Sequence, residues 1–151
     1  MSLKYTPILP QMVYAGLAED LSAKAPVLAE MLRENHPSGN SYMDLFAELI
    51  RKHGKKPAKG YARLLGADPR QFDGAIRCMS GISSHEWMNE YLRLVACDLL
   101  EHTQLPFKAI GKVMGFSSSS FTQFFQAYQH MQPYRFRSLK QQNRNRGYHF
   151  P

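Results

Sequence analysis

The sequence predicts an all-α fold with two helix-turn-helix patterns joined by one long helix. Three observations carry this. Apolar residues recur at three- and four-residue spacing along most of the chain. Two stretches, residues 61–81 and 105–137, each read as a short helix, a Gly-marked turn and a second helix with a polar outer face. The charge is one-sided. Seven of the 19 basic residues follow Glu101 and none of the 12 acidic ones does, so the whole net charge of +7 belongs to the last third. A basic surface confined to one part of a chain is the electrostatic footprint of a polyanion partner. A solvated, disordered basic tail over residues 141–151 is the plainer reading of Lys140, Arg144 and Arg146, but it leaves out Lys108, Lys112, Arg135 and Arg137.

The first elements lie outside the two patterns. Pro10 can open a helix through Leu21, with Met12, Val13, Leu17 and Leu21 along one side. Pro26 suits the start of a helix, so a second one is expected from after Ser22 to about Glu34, with Val27, Leu28, Met31 and Leu32 inward. The run from His36 to Asn40 is turn chemistry and closes this N-terminal helical hairpin. Residues 1–40 form an extension that either packs on the domain or, through residues 10–35, offers a homodimer or partner surface. Ser41 and Asp44 make an S-x-x-D capping signature for a helix from Tyr42 to His53, whose inner face is Leu45, Phe46, Leu49 and Ile50.

A cluster of Lys55, Lys56, Lys59 and Arg63 then leads into the first helix-turn-helix pattern. Asp68 is a good N-cap and Pro69 a good first helical residue for its second helix. That helix points Arg70, Gln71, Asp73, Gly74 and Arg77 outward. Asp73 would repel phosphate, although an acid can accept from a cytosine amino group. Gly74 weakens a helix by about 1 kcal/mol against Ala, which a close backbone approach would explain. Next comes a helix of about 19 residues, with Trp87, Tyr91, Leu94, Val95, Asp98 and Leu99 marking its faces. At about 1.5 Å per residue it spans roughly 28 Å. Successive major-groove faces of B-DNA recur about every 34 Å, so such a helix can hold two reading heads near one turn apart.

The second pattern starts at Pro106, with Phe107, Ile110 and Met114 on an apolar face and Gly111 where a neighbouring backbone comes close. Gly115 ends that helix, and any of Ser117–Ser120 can cap the next, expected from about Ser119 to Tyr128. Phe121, Phe124, Phe125 and Tyr128 face inward, while Thr122, Gln123 and Gln126 face outward. Pro133 opens a last helix carrying Arg135 and Arg137.

Residues 105–137 resemble the second half of the DNA-binding domain of the AraC/XylS family of transcription regulators. Phe107, Ile110, Gly111, Gly115, Phe116, Phe121, Phe125, Pro133, Phe136 and Arg137 match its signature by position or type. Ala62, Leu65, Gly66, Phe72, Ile76 and Gly81 match the family's first helix-turn-helix, so the resemblance covers residues 41–140. There are departures. The turn after Phe116 is one residue shorter. Gln123 stands for the usual Arg, Gln126 for Lys and His130 for Gly, and Arg93 is displaced by one position. The family's sensing barrel is not seen ahead of the domain.

The resemblance implies homeodomain-like units reading double-stranded DNA in two adjacent major grooves, with RNA polymerase as a further partner, in the bacterial cytoplasm at the nucleoid. It places base readers at Arg70, Gln71, Asp73, Gly74 and Arg77 in one unit and at Ser118, Ser119, Thr122, Gln123 and Gln126 in the other. Phosphate contacts are expected from Lys59, Arg63, Lys108, Lys112 and Arg137. Because Arg and Lys are sparse on both reading helices, an accessory or architectural interaction module on the same fold is the alternative.

Other chemistry is poorly represented. The six histidines show no i, i+4 pair and the two cysteines no C-x-x-C, so no metal or other cofactor is expected. Cys78 and Cys97 sit in helical patterns beside apolar residues and read as reduced, packed thiols. Glu86 and Glu90 read as solvated charge on the linker helix. There is no G-x-S-x-G, and the serine run has no base or orienting acid at recognisable spacing, so an enzyme is not expected. No apolar run approaches 18 residues, and no membrane span is expected.

Overall fold

The computed structural model describes residues 6–18 and 27–148, with the side chains of Ser118 and residues 145–148 outside that description. Among the described residues the regular structure is helical, apart from one isolated antiparallel bridge between Leu17 and Leu32.

The N-terminal segment departs from the expected pair of long helices. Its helices α1 (Pro10–Val13) and α2 (Leu28–Met31) are single turns. The described residues that follow each of them pair with one another. Ala18 N–H donates to the Met31 carbonyl at 3.0 Å, Arg33 N–H to Gly16 at 3.0 Å and His36 N–H to Val13 at 2.8 Å. Gly16 sits at φ +87°, a turn that a continuing helix does not allow. Backbone groups that a helix would satisfy internally are thus satisfied across the pair. The expected ends of both helices, over residues 19–26, lie outside the described residues. Val13, Leu28, Met31 and Leu32 are buried, and side chains bolt the segment down. Trp87 Nε1 donates to the Ile8 carbonyl at 2.9 Å, the Tyr14 hydroxyl to Asp98 at 2.6 Å, and Arg51 to the Arg33 carbonyl at 3.0 Å.

Helix α3 (Ser41–His53) starts one residue from the expected cap. Asn40 Oδ1 accepts from the backbone of Tyr42 and Met43, while Asp44 reaches back to the Ser38 N–H at 3.0 Å. Its buried face is Met43, Phe46, Ala47 and Ile50, whereas Leu45 is 47% exposed. Helices α4 (Ala58–Leu64) and α5 (Pro69–Ser80) complete the first unit. Phe46 lies at its centre, with the rings of Tyr61, Phe72 and Trp87 at 5.4, 5.1 and 5.3 Å.

Helix α6 (Ser84–His102) is the linker. Both units pack on it, which is why its apolar residues spread around the helix instead of forming one stripe. Trp87, Met88, Tyr91, Leu92, Val95, Ala96, Leu99 and Leu100 are all buried. Helices α7 (Phe107–Val113), α8 (Ser118–Gln129) and α9 (Pro133–Tyr148) form the second unit around Ile110, Met114, Phe121, Phe125 and Phe136. Residues 141–148 of the expected basic tail continue α9, and residues 149–151 lie outside the described residues. The amide of Gln141 lies 3.4 Å from the carbonyls of Leu100, Glu101 and Thr103, so α9 caps the orphan carbonyls at the end of α6.

The two units also meet directly, through backbone. Lys55 N–H donates to the Met114 carbonyl at 2.8 Å. Gly54 (φ +71°) and Gly115 (φ +84°) make the two turns involved. A Cβ on Gly54 would sit 2.5 Å from the Met114 oxygen, and one on Gly115 would sit 3.0 Å from the Lys55 nitrogen. Only hydrogen fits at either Cα.

Candidate nucleic-acid interface

The two units repeat at a constant offset. From Ala58 to Phe107, where α4 and α7 begin, is 49 positions, and from Pro69 to Ser118, where α5 and α8 begin, is also 49. Pro57 and Pro106 precede the first helices, and Gly66 and Gly115 turn between helices at positive φ. Asp68 and Ser117 cap the second helices through side-chain oxygens. Phe72 and Phe121 occupy equivalent buried positions, as do Ile76 and Phe125.

Cations repeat with the scaffold. Lys59 and Arg63 are the second and sixth residues of α4, and Lys108 and Lys112 are the second and sixth of α7. All four are exposed. Each pair is four residues apart and so lies on one side of its helix.

The outer faces of α5 and α8 are open. Arg70, Gln71, Gly74 and Arg77 are exposed on α5, as are Ser119, Gln123 and Gln126 on α8. Ser118 is the first residue of α8, and Thr122 is half-buried. Gly74 has nothing within 4 Å of where a Cβ would stand, so no part of the described fold requires a glycine there. Gly111 differs: a Cβ there would meet the Phe121 Cβ at 3.0 Å, where α7 crosses α8.

Asp73 does not present its charge to a ligand as expected. Its Oδ1 accepts from the Ser84 N–H and from the Ser84 hydroxyl, each at 2.8 Å, at the N-terminus of α6. Its Oδ2 accepts from Arg77 Nε at 2.7 Å. Arg77 and the Ser84 backbone hold its carboxyl below the usual carboxylate value. Arg137 is also placed elsewhere than expected. Its Nε donates to the Leu100 carbonyl at 2.9 Å, its guanidinium lies 5.0 Å from the Phe107 ring centre, and its Nη2 is buried. It pins α9 and α7 to the end of α6.

Several residues that position the interface carry no signal in the sequence. Lys55 belongs to the basic run ahead of α4, yet its Nζ turns inward to Asn89 Oδ1 at 2.8 Å. It also lies 5.9 Å from the Phe116 ring, and burial lowers its pKa. The Asn89 amide donates to the Tyr128 hydroxyl at 2.8 Å, which donates on to Glu86 at 3.3 Å. This chain runs from the α3–α4 turn through α6 to α8. Arg93 adds a second tie, donating to Glu90 and, at 2.9 Å, to Gln129 at the end of α8. With the glycine contact, these fix the direction of α8 against the first unit.

Among the described residues no three His, Cys, Asp or Glu side chains converge to hold a metal ion, and no helix is long and apolar enough to cross a membrane. Cys78 is exposed rather than packed as expected, whereas Cys97 is half-buried and burial pushes its thiol up to about 11.

Two equivalent helix-turn-helix units on one buried linker define a bipartite helix-turn-helix domain. A family model described as a helix-turn-helix domain matches residues 61–138, just over half of the chain, and the protein belongs to that family, in its AraC-type form. It is a DNA-binding transcription regulator. No curated protein matches the chain in sequence. Solved structures share its fold. The C-terminal domain of AraT, a response regulator from Geobacillus stearothermophilus, is 20% identical with a TM-score of 0.61, covering 68% of this chain and 88% of that one. The DNA-binding domain of AdpA, a global transcriptional factor solved in complex with a target DNA, is 20% identical with a TM-score of 0.61, over 70% and 94%. A DNA-binding transcriptional dual regulator from Escherichia coli K-12 is 17% identical with a TM-score of 0.59, over 71% and 98%.

Proposed function

We propose that the protein reads two successive major-groove segments of one duplex, α5 entering one and α8 the next, as a single rigid reader. The observation that supports this best is the repeated cation pair. Lys59 and Arg63 flank α5, and Lys108 and Lys112 flank α8, at equivalent positions of equivalent units. A ligand that meets both units in the same way is itself repetitive and anionic, as a phosphate backbone is. The exposed polar faces of α5 and α8 are then the base-reading surfaces. The readers are Arg70, Gln71 and Arg77 in one and Ser118, Ser119, Thr122, Gln123 and Gln126 in the other. Gly74 lies between Arg70 and Arg77 as an unobstructed surface. On this reading the protein acts at the nucleoid, without catalysis, and RNA polymerase is its partner once it is on DNA. The N-terminal segment serves the domain core, since Val13, Leu28, Met31 and Leu32 are buried where it packs on α3 and α6, while Leu9, Met12 and Val27 remain exposed.

The test is a salt titration on a duplex selected by the wild type from a random pool, beside a random duplex. Specific reading gives a large affinity gap between the two and a steep salt slope. Lys112→Glu should weaken both duplexes alike and reduce the slope by about 1 or more. A selected pool that yields a single short half-site, or none, overturns the two-segment reading.

A further inference from the structure

Asp73 lies on a helix that faces a polyanion, and an unpaired carboxylate there would oppose binding. All of its bonds point away from that role. Two go to Ser84 at the start of α6 and fix the carboxylate to a buried part of the fold, since Ser84 is 3% exposed. The third goes to Arg77 Nε at 2.7 Å. Arg77 is otherwise an open side chain, 60% exposed. A long exposed arginine ordinarily samples many rotamers and loses that freedom on binding. Here the Nε is held by an acceptor that is itself anchored at its other oxygen. The two terminal nitrogens form the opposite edge of the planar guanidinium, and no other described group holds them. That edge carries the donor pair matching guanine O6 and N7.

The neighbours on α5 fit this use. Gly74 stands one turn from Arg70 and three positions before Arg77, with open space where its side chain would be. By the 49-residue offset, Arg77 corresponds to Gln126 and Gly74 to Gln123 on α8. In the first unit, therefore, the middle position is empty and the arginine one turn further along is braced.

We propose that Asp73 is a positioning residue that holds Arg77 in the orientation for two-pronged recognition of one guanine, making Arg77 the specificity-determining residue of the first unit. This rests on α5 being a base-reading helix. It also explains an acid on that helix: Asp73 is neutralised by the side chain it aims, and its second oxygen caps α6.

The experiment compares wild type, Asp73→Asn and Arg77→Lys by selection from a random pool, with affinities for the selected and random duplexes and melting curves. Asn keeps an oxygen acceptor for Ser84 but loses the charge that holds the guanidinium. Asp73→Asn should lose guanine preference at one position by about fivefold or more, the lower end of what a two-pronged pair supplies. Its affinity for random duplex should rise, because a negative charge has gone. Arg77→Lys should lose the same preference with the α6 cap intact, which keeps the test decisive if Asp73→Asn folds poorly. Full retention of the guanine preference in either variant overturns the proposal. So does an equal loss on target and random duplexes, which would mark Asp73 as structural only or Arg77 as a phosphate contact. A wild type with no gap between selected and random duplexes would instead remove the base-reading assignment of α5, and the proposal with it.

Discussion

The contact between the two turns can be broken with one methyl group. At Gly54 the backbone has φ +71° and ψ −147°, a region essentially restricted to glycine. An alanine there costs roughly 1–3 kcal/mol in backbone strain alone. Its Cβ would also lie 2.5 Å from the Met114 carbonyl oxygen, a backbone atom that cannot rotate away. Relief requires the α7–α8 turn to move off the α3–α4 turn, which stretches the Lys55–Met114 hydrogen bond. That adds roughly 1–3 kcal/mol, the usual scale of overpacking. Gly54→Ala should therefore destabilise by about 2–6 kcal/mol and lower the Tm by about 4–24 °C for a chain of this length. Gly66→Ala is the internal control. Gly66 is also at positive φ (+66°) but has nothing within 4 Å of its Cβ position, so only strain of about 1–2 kcal/mol applies. Thermal melts by circular dichroism measure both. In DNA binding, Gly54→Ala should lose more on a two-segment duplex than on random duplex, since the units no longer hold one orientation. If Gly54→Ala and Gly66→Ala melt together, the contact between the turns contributes nothing and the rigid-reader argument fails.

Other outcomes follow from single residues. Gly111→Leu should cost about 1–3 kcal/mol, because α8 already stands 3.0 Å from its Cβ position; a melt matching wild type would show that the crossing yields freely. His130 caps α8 at φ +59°, so His130→Gly should stabilise by up to about 1 kcal/mol in urea unfolding, and a loss of stability would refute strain at that cap. The folded-state pKa of Asp73 is depressed below 3.8, so its stabilisation is present above that pH and lost as pH falls through the lower folded value. Asp73→Asn should accordingly flatten the acid limb of the stability profile below about pH 4, and an unaltered limb would sink the argument. Gln123→Ala should relax base preference at one or two positions while sparing binding to random duplex, a pattern that selected-sequence profiles would show or exclude.

Much of this fold can be read from the residues alone, because its strongest determinants are local. Asp68 followed by Pro69 specifies a helix start by side-chain capping and a preset φ, and α5 begins there. Gly66, Gly81 and Gly115 mark turns because their backbone is left-handed. The spacing of Phe72 and Ile76, and of Phe121 and Phe125, names the buried face of each reading helix, and the absence of acid after Glu101 names the partner class. Whatever depended on residues far apart in the chain was settled by tertiary structure. A helical period over residues 10–34 fits α1 and α2, but the pairing of Leu17 with Leu32 satisfies the backbone across the segment and packs it on α6. Gln141 continues α9 because α6 ends beside it with carbonyls to bond. Lys55, Asp73 and Arg137 look alike in sequence as charges near a reading helix. What separates them from Lys59, Arg70 and Lys112 is whether a partner 11 to 37 positions away, Ser84, Asn89 or Leu100, comes within hydrogen-bond reach. A charge with such a partner becomes part of the scaffold, because a buried charge must be bonded. A charge without one stays in water, where a duplex can meet it.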